Sequence, residues 1–318
     1  MAGIDINRST SGVVLPKNIS DEIWANAQEQ SAVMALSRRI NLPGTGVTIP
    51  IITGDAAADW VGETDEKPVS EASVSSKDIT PYKIAVIELF SNEFKRDLPA
   101  VYAELARRLP GAIAKKFDAT VFGSTAPGSN FDVLGGASTV ALGPNASDVK
   151  KNTYAGLVQA YTDIANAGGT LDGWALSSQA KGLLLGQVDS TGRPLLLDSI
   201  QGGSAVPQLL GENVYYTKGV YASGSPNTIG FAGDWASAVY GVVDGIKIDI
   251  SNQASITNGT KTIEATVSGA TPPEVEIEVP NVINLWQRNM FAVLVEAEIG
   301  FRVRDTARFR KLTDATRS

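Results

Sequence analysis

Two short patterns in the sequence have the residue types of catalytic groups. Ser178 and Lys181 match the Ser-x-x-Lys pattern of enzymes that use the serine as a nucleophile. The companion motifs of those enzymes are absent, and a helix cap followed by a surface lysine has the same spacing. Glu296 and Glu298 alternate along a predicted strand and therefore share one side, as an acid/base pair requires. Neighbouring arginines favour a charged sheet face instead.

The sequence lacks the side chains or motifs that several other catalytic and metal sites require. The chain has no cysteine and no histidine, which excludes disulfides, Cys/His zinc sites and any mechanism that needs an imidazole base. The sequence contains no P-loop, zinc-protease or EF-hand motif. We therefore predict a protein that is not an enzyme and has no cofactor and no metal site.

Basic residues gather near the end of a chain whose net charge is -7. After Gly300, cationic residues outnumber Asp305 and Asp314. The cationic residues are Arg302, Arg304, Arg308, Arg310, Lys311 and Arg317. Such a segment either contacts nucleic acid or forms a solvated or salt-bridged surface between subunits. The negative net charge gives no reason to expect general attraction to DNA.

One strand is predicted more clearly than any other element. Apolar residues occupy every second position from 291 to 303, and charged residues lie between several of them. The apolar positions are Phe291, Val293, Val295, Ala297, Ile299, Phe301 and Val303. This alternation predicts a long strand with one fully buried face, preceded by another strand from Val242 to Ile250.

Helical spacing predicts four helices. One begins at Ser20 and ends near Ile40, before Pro43. Another follows Pro99 to Phe117, with Leu109, Ile113 and Phe117 on one side and a kink expected at Pro110. A third begins at Thr153, with Leu157, Val158, Tyr161 and Ile164 on one face, and ends before Gly168. A fourth, capped by Ser178, continues through Leu185 after a short strand from Trp174 to Leu176.

A long hairpin is predicted between residues 43 and 90. Val47, Ile49 and Ile51 alternate as one strand, and 82–89 form the other. The intervening 54–76 are polar and acidic, interrupted by Trp60 and Val61. A connection of this length that cannot bury itself is usually functional.

These features occur in the order of a known protein family. A small residue followed by Trp-Val-x-Glu at 60–63 precedes Lys67-Pro68 and then "KIA" at 83–85. The stretches "GFAGDWASAVYGVVDGIKIDISNQ" and "NLWQRNMFAVLVEAEIGFRVRDTARFRKLT" follow in turn. Together they resemble the major capsid proteins of tailed bacteriophages of the HK97 type, over nearly the whole chain.

The resemblance implies an α+β, HK97-like capsid fold with an N-terminal arm, an extended E-loop hairpin, a spine helix, and peripheral and axial domains. The arm has no long scaffolding segment, so scaffolding is expected from a separate protein unless the chain is a mature form. The implied segments are 1–42 for the arm and first helix, 43–90 for the E-loop hairpin, 91–145 for the peripheral domain with the spine helix, 146–240 for the axial domain, 241–305 for the peripheral return with a candidate insertion at 251–284, and 306–318 for the C-terminal segment.

The implied function is that of a shell subunit. The resemblance predicts self-assembly as pentamers and hexamers into an icosahedral head that encloses double-stranded DNA without sequence-specific binding. Scaffold and portal proteins are expected partners, no membrane is involved, and the location is the virion, assembled in the host cytoplasm. Encapsulin-type compartment shells share this fold and remain the alternative.

The resemblance also implies candidate site residues. In the founding member, an E-loop lysine bonds to an asparagine of a neighbouring subunit while a glutamate accepts the proton. Lys67, Asn289 and Glu296 match these positions by motif. The same residue types also suit a non-covalent role, with an ion pair and an amide hydrogen bond holding the loop. Trp60, Val61 and Glu63 are the candidate intersubunit contacts, since aromatic residues are enriched at interface centres.

Overall fold

The computed structural model describes most of the chain. The predicted arm, the predicted helix start at Ser20, and the candidate residues Glu63 and Lys67 lie outside the described residues. The described residues are 27, 31–52, 60–61, 74–93, 98–143, 153–186, 208–243, 245–266 and 274–316.

Four helices and fifteen strands are formed by the described residues. The helices are α1 (Ala32–Leu36), α2 (Leu98–Val121), α3 (Thr153–Asn166) and α4 (Ser178–Leu185). The strands are β1 (Arg38–Asn41), β2 (Val47–Ile52), β3 (Val74–Ile79), β4 (Tyr82–Ser91), β5 (Ser138–Gly143), β6 (Gly173–Leu176), β7 (Gln208–Leu209), β8 (Glu212–Tyr216), β9 (Thr228–Gly233), β10 (Ala238–Val242), β11 (Lys247–Ser251), β12 (Ser255–Thr266), β13 (Glu274–Asn284), β14 (Met290–Val303) and β15 (Phe309–Thr316).

The described residues divide into two compact units. The larger unit lies within Ile23–Ile84, Arg108–Gly245 and Ala297–Ser318. The smaller unit includes Ala85–Arg107 and Ile246–Glu296. The chain therefore passes repeatedly between the two units.

The larger unit contains a six-stranded sheet in the order β5-β15-β9-β6-β8-β7. Strands β6 and β9 have no exposed residue, as expected for central strands covered on both faces. Helix α3 packs against this sheet through Leu157, Ala160 and Ile164. Trp174 is fully buried in the same core, and its indole N–H donates to the Leu209 carbonyl at 3.0 Å.

A second core of the larger unit forms around the C-terminal half of α2. Leu109, Ile113 and Phe117 are buried, which confirms the predicted helix, and the helix continues beyond Phe117 to Val121. The Phe117 ring meets the edges or faces of three other rings. They are Phe131, Tyr240 and Phe301, at centroid distances of 6.3, 6.4 and 6.3 Å.

Strand β14 has the predicted burial. All seven apolar positions from Phe291 to Val303 are buried, whereas Glu296, Glu298 and Arg302 are only partly covered. In the larger unit, β10 pairs antiparallel with Ile299–Val303, and β1 pairs parallel with β10. In the smaller unit, β11 pairs antiparallel with Ala292–Glu296.

The smaller unit also contains a long hairpin of its own. Strands β12 and β13 pair only with each other among the described residues, with a register shift between Thr257 and Thr260. The base of this hairpin packs in a small apolar cluster that includes Ile283, Leu285 and Ala292. Most of the candidate insertion at 251–284 is this hairpin. None of the helices in the described part of the chain is long and apolar enough to cross a membrane.

Two predicted elements near the N-terminus are wrong. The first helix was expected to reach Ile40, but α1 ends at Leu36 and Arg38–Asn41 form β1. Pairing with β10 overrides the local helical preference of this segment. The predicted hairpin paired Val47–Ile51 with 82–89, but β2 pairs with β3, and β4 pairs with β14. Strand β3 was missed because its sequence, VSSKDI, is largely polar.

Smaller differences between prediction and structure concern the residue that caps α4, the buried face of α3 and the extent of one strand. Ser177, rather than Ser178, caps α4, accepting a hydrogen bond from the Ala180 amide at 3.3 Å. On α3, Leu157 and Ile164 are buried, but Val158 and Tyr161 are exposed. The strand predicted from Val242 to Ile250 is divided into β10 and β11.

Candidate intersubunit contact sites

Trp60 is the most exposed aromatic side chain among the described residues. Its relative exposure is 101%, and that of Val61 is 39%. Both lie in the segment that joins β2 to β3, a two-stranded ribbon. A two-stranded ribbon has little capacity to bury an indole by itself. Trp60 and Val61 are thus exposed in the single subunit, and their role as intersubunit contacts stays a prediction.

Asn289 closes a tight turn in the smaller unit. Its φ of 53° lies in the left-handed region, which asparagine tolerates better than most residues. The Asn289 carbonyl accepts from the Asn92 amide at 2.9 Å. Its side-chain oxygen accepts from the Asn92 Nδ2 at 2.8 Å. Asn289 therefore anchors the turn before β14 to the residue that follows β4.

Glu296 lies seven residues further along the chain, within β14. It is partly covered, and its register partner on β11 is Lys247. The structure thus places Asn289 and Glu296 in the same unit, one on a turn and one on a strand. The third member of the predicted set, Lys67, lies outside the described residues.

A buried carboxylate that sequence analysis did not single out organises the larger unit. Asp118 lies within α2 with 0% exposure. Its Oδ1 accepts from the Ser31 hydroxyl at 2.6 Å, and its Oδ2 accepts from the Thr217 hydroxyl at 2.8 Å. The Ala32 and Val33 amides donate to the same carboxyl at 3.1 and 3.4 Å. We call these five residues the Asp118 node.

The Asp118 node joins three distant chain segments. Ser31 also caps α1, its hydroxyl accepting from the Met34 amide at 3.1 Å. A methyl group at Gly219 would lie 2.6 Å from the Asp118 Cβ, so glycine is required there for close approach. Burial raises the pKa of Asp118 to about 6, against the opposing effect of its four hydrogen bonds.

A cavity of about 480 Å³ opens in the larger unit and carries an excess of positive charge. Among the described residues, its lining includes one carboxylate, Asp234, and apolar side chains. We call it the cationic cleft. Its five cations are Arg38, Lys77, Arg302, Arg304 and Arg308.

Two of these cations are held by Asp132. The Arg302 Nη1 donates to Asp132 Oδ1 at 2.7 Å, and the Lys77 ammonium lies 3.5 Å from Oδ2. The other Arg302 nitrogens donate to the Asp78 carbonyl at 2.7 Å and to the Asn130 side chain at 3.0 Å. Arg302 is therefore fixed by the fold, and only part of its charge is available to a ligand.

The remaining cations of the cleft differ in their exposure. Arg308 pairs with Asp234 at 3.1 Å, but its buried Nε has no hydrogen-bond partner among the described residues. Arg38 and Arg304 are exposed at the rim. The basic segment near the chain end is therefore partly ion-paired within the subunit, and Arg310 adds another pair, with Asp163 at 3.5 Å.

The Ser-x-x-Lys pattern has a structural explanation. Lys181 Nζ lies 5.3 Å from the centroid of the Tyr216 ring, a cation–π geometry, on a short helix capped by Ser177. Within the described residues, no group of three or more acidic side chains is arranged to hold a metal ion.

Comparison with protein families gives a match to the model of the phage capsid family over residues 11–314. The chain belongs to the phage capsid family. Two relatives in this family are each named probable major capsid protein gp17. The one from Mycobacterium phage L5 is 32% identical over 96% of this chain and 91% of its own length. The one from Mycobacterium phage D29 is 30% identical over 95% of this chain and 90% of its own length.

Solved structures of chains from other phages show the same fold at lower identity. A chain from Gordonia phage Cozz aligns with a TM-score of 0.65 and 22% identity, covering 91% of this chain and 87% of that one. A chain from Mycobacterium phage Adephagia aligns with a TM-score of 0.64 and 20% identity, covering 91% of both. These matches confirm the predicted HK97-type capsid fold. With the relatives, they support a phage major capsid protein over the encapsulin-type alternative.

Proposed function

We propose that this capsid protein assembles with copies of itself, as pentamers and hexamers, into the closed icosahedral head that holds phage double-stranded DNA. The observation that carries the proposal is Trp60, wholly exposed in the segment joining the two strands of the β2–β3 ribbon. In water an exposed indole forfeits the stabilisation that burial of its apolar surface gives. Packing against a neighbouring copy recovers it, and one contact repeated by symmetry closes a shell.

The remaining partners follow from the same proposal. A scaffold and a portal protein guide assembly, which takes place in the host cytoplasm, and the mature location is the virion. DNA is enclosed without sequence-specific recognition, in keeping with the net charge of -7. No membrane and no enzymatic turnover take part, so the chain acts through its contacts.

Assembly of the purified protein tests this proposal directly. Subunits at micromolar concentration, alone and with scaffold, are examined by light scattering and negative-stain microscopy. We expect capsomers or closed shells. A monodisperse monomer of 33.4 kDa under all conditions, with scaffold present, would contradict the proposal.

We further propose that Asn289 acts without covalent chemistry, by holding the turn before β14. Its positive φ and its two hydrogen bonds with Asn92 support this role. The alternative is the bond between Lys67 and Asn289, with Glu296 as proton acceptor. Asn289→Gly keeps access to the left-handed backbone but removes the amide side chain, and so separates the backbone requirement from the side chain's other roles.

Denaturing electrophoresis of mature particles distinguishes the two roles. The non-covalent role predicts one band at the monomer position. A ladder of multimers that Lys67→Arg, Asn289→Asp and Glu296→Ala each abolish would establish the bond instead. Under the non-covalent role, Asn289→Gly particles still assemble, with a subunit stability lower by about 1 kcal/mol for the lost side-chain hydrogen bond.

A further inference from the structure

The sequence contains one Asn-Gly pair, Asn258-Gly259, and it lies in strand β12. In such a pair the next backbone nitrogen can attack the side-chain carbonyl carbon of the asparagine, which closes a five-membered ring. Glycine has no Cβ to obstruct that approach. The local structure then determines whether the attack can occur in the folded chain.

The β12–β13 hairpin departs from regular pairing at this pair. Its register shifts between Thr257 and Thr260. Asn258 and Gly259 therefore oppose a single residue of β13, Asn281. Two residues opposite one form a β-bulge, at which the regular ladder of hydrogen bonds is interrupted. The backbone of the pair is thus less constrained than it would be in a regular strand.

The pair is also open to solvent. Asn258 and Gly259 are both exposed. Gly259 has a φ of 68°, and no atom from elsewhere in the described part of the chain lies within 4 Å of the position that a Cβ would take. Water and hydroxide can therefore reach the amide nitrogen of Gly259 from its open side.

One hydrogen bond acts on the peptide group that contains this nitrogen. The Asn281 Nδ2 donates to the Asn258 carbonyl at 3.3 Å. A hydrogen bond to a carbonyl oxygen polarises the peptide group and draws electron density from its nitrogen. That nitrogen belongs to Gly259, so the bond makes its proton easier to remove. The opposite strand thus favours the form of the nitrogen that attacks.

We propose that Asn258 is a site of spontaneous modification, which converts it to isoaspartate or aspartate. The Gly259 nitrogen gives its proton to water or hydroxide and forms a bond to the Asn258 Cγ. The Cγ–Nδ2 bond breaks, and the side-chain nitrogen takes a proton from solvent and leaves as ammonia. Water then opens the ring. Cleavage of the bond to Cγ gives aspartate, and cleavage of the bond to the main-chain carbonyl carbon gives isoaspartate, with no change of oxidation state.

The modification changes the charge and the backbone of the hairpin. Residues 255–284 contain one lysine and four glutamates, a net charge of -3, which the new carboxylate makes -4. Isoaspartate also adds one methylene group to the main chain at the bulge. A subunit that persists for a long time would therefore acquire a more acidic hairpin with an altered backbone.

Peptide mapping by mass spectrometry tests the proposal. The full-length chain, both unassembled and in particles, is incubated at about pH 6 and about pH 8.5, and the result does not depend on shell assembly. We expect the peptide that contains residue 258 to gain about 1 Da and to separate into isoaspartate and aspartate forms, faster at the higher pH because base removes the amide proton. Isoaspartate is the decisive product, since direct hydrolysis of the side chain gives aspartate alone.

Two matched controls separate the pair from its surroundings. Asn281, in the same hairpin but followed by the β-branched Val282, should be modified at least about tenfold more slowly. Gly259→Asn keeps a residue type that tolerates positive φ but adds a Cβ, and it should slow the reaction at Asn258 by at least about tenfold. Equal rates in the natural chain and in Gly259→Asn would overturn the proposal. Isoaspartate that forms in the urea-unfolded chain but not in the folded chain would also overturn it, because the bulge would then protect the pair.

Discussion

The Asp118 node and the cationic cleft are both charged sites of the larger unit, but they differ in what completes them. At the node, one fully buried carboxylate receives four hydrogen bonds from its own chain. At the cleft, the described lining has five cations and one carboxylate, and Arg38 and Arg304 are exposed. A site satisfied within the chain stabilises the subunit, whereas a site left with excess charge is suited to a neighbour. Changes at the node should alter folding, and changes at the cleft rim should alter assembly.

The largest effect is expected from Asp118→Ala. The substitution leaves the Ser31 and Thr217 hydroxyls and two amides buried without their acceptor, which should lower the free energy of unfolding by about 4 kcal/mol. Urea unfolding of the unassembled subunit measures it. Glu93→Ala, which removes an exposed carboxylate, is the control and should change stability by less than about 0.5 kcal/mol. A small effect of Asp118→Ala would show that the node does not hold the unit together.

The second-largest effect is expected from Arg302→Met, which should lower the free energy of unfolding by about 3 kcal/mol. It removes the closer of the two described cationic partners of Asp132, which is mostly buried, and leaves Lys77 at 3.5 Å; breaking a buried ion pair is strongly destabilising. Arg38→Met, at the exposed rim, should change stability by less than about 0.5 kcal/mol. Equal decreases in the free energy of unfolding would contradict the distinction between Arg302, which is held by the fold, and Arg38, which is exposed.

The pH dependence of stability gives the next effect. The pKa of Asp118 is raised from 3.8 to about 6 on folding. Its contribution to the stability of the folded subunit is therefore fully present below pH 3.8 and is lost as the pH rises through about 6. At about 1.4 kcal/mol for each pH unit, the difference in stability between the natural chain and Asp118→Asn should fall by about 2 kcal/mol from about pH 4.5 to 6.5. A difference that stays constant or rises with pH would contradict the raised pKa.

The smallest effect on folding is expected from Trp60→Ala. Because the indole is wholly exposed, the free energy of unfolding should change by less than about 0.5 kcal/mol, while the fraction of assembled protein should drop sharply. Sedimentation measures the assembled fraction. Trp286→Ala, at an indole that is 75% exposed in the smaller unit, is the comparison. Loss of soluble subunit from Trp60→Ala would mean that the indole packs within its own chain.

The elements that sequence analysis predicted well are those whose own pattern determines their burial. Strand β14 alternates strictly, and all seven of its predicted apolar positions are buried. The elements it missed depend on partners elsewhere in the chain. Arg38–Asn41 form a strand because β10 lies beside them, and the polar β3 forms because β2 does. No local pattern in either segment contains that information.

The candidate sites divide in the same way. Trp60 was proposed as a contact from its own surroundings, an aromatic residue within a polar stretch, and that role stays a prediction. Asp118 was missed, although a signal exists: it lies four residues after Ala114 and three before Val121, both buried on the same helix face. An acidic residue at a core position of an amphipathic helix indicates a buried partner. The cleft gave no such signal, because strands and loops far apart in sequence supply its arginines.

The complete burial of Asp118 also has a kinetic consequence. With 0% of its surface accessible, the carboxyl can exchange a proton with water only when the surrounding segments separate. Its ionisation therefore responds to a change of pH at the rate of local opening. A subunit moved quickly between pH values keeps its earlier protonation state until the segments at Ser31 or Thr217 move apart, and subunits held tightly by neighbours keep it longest.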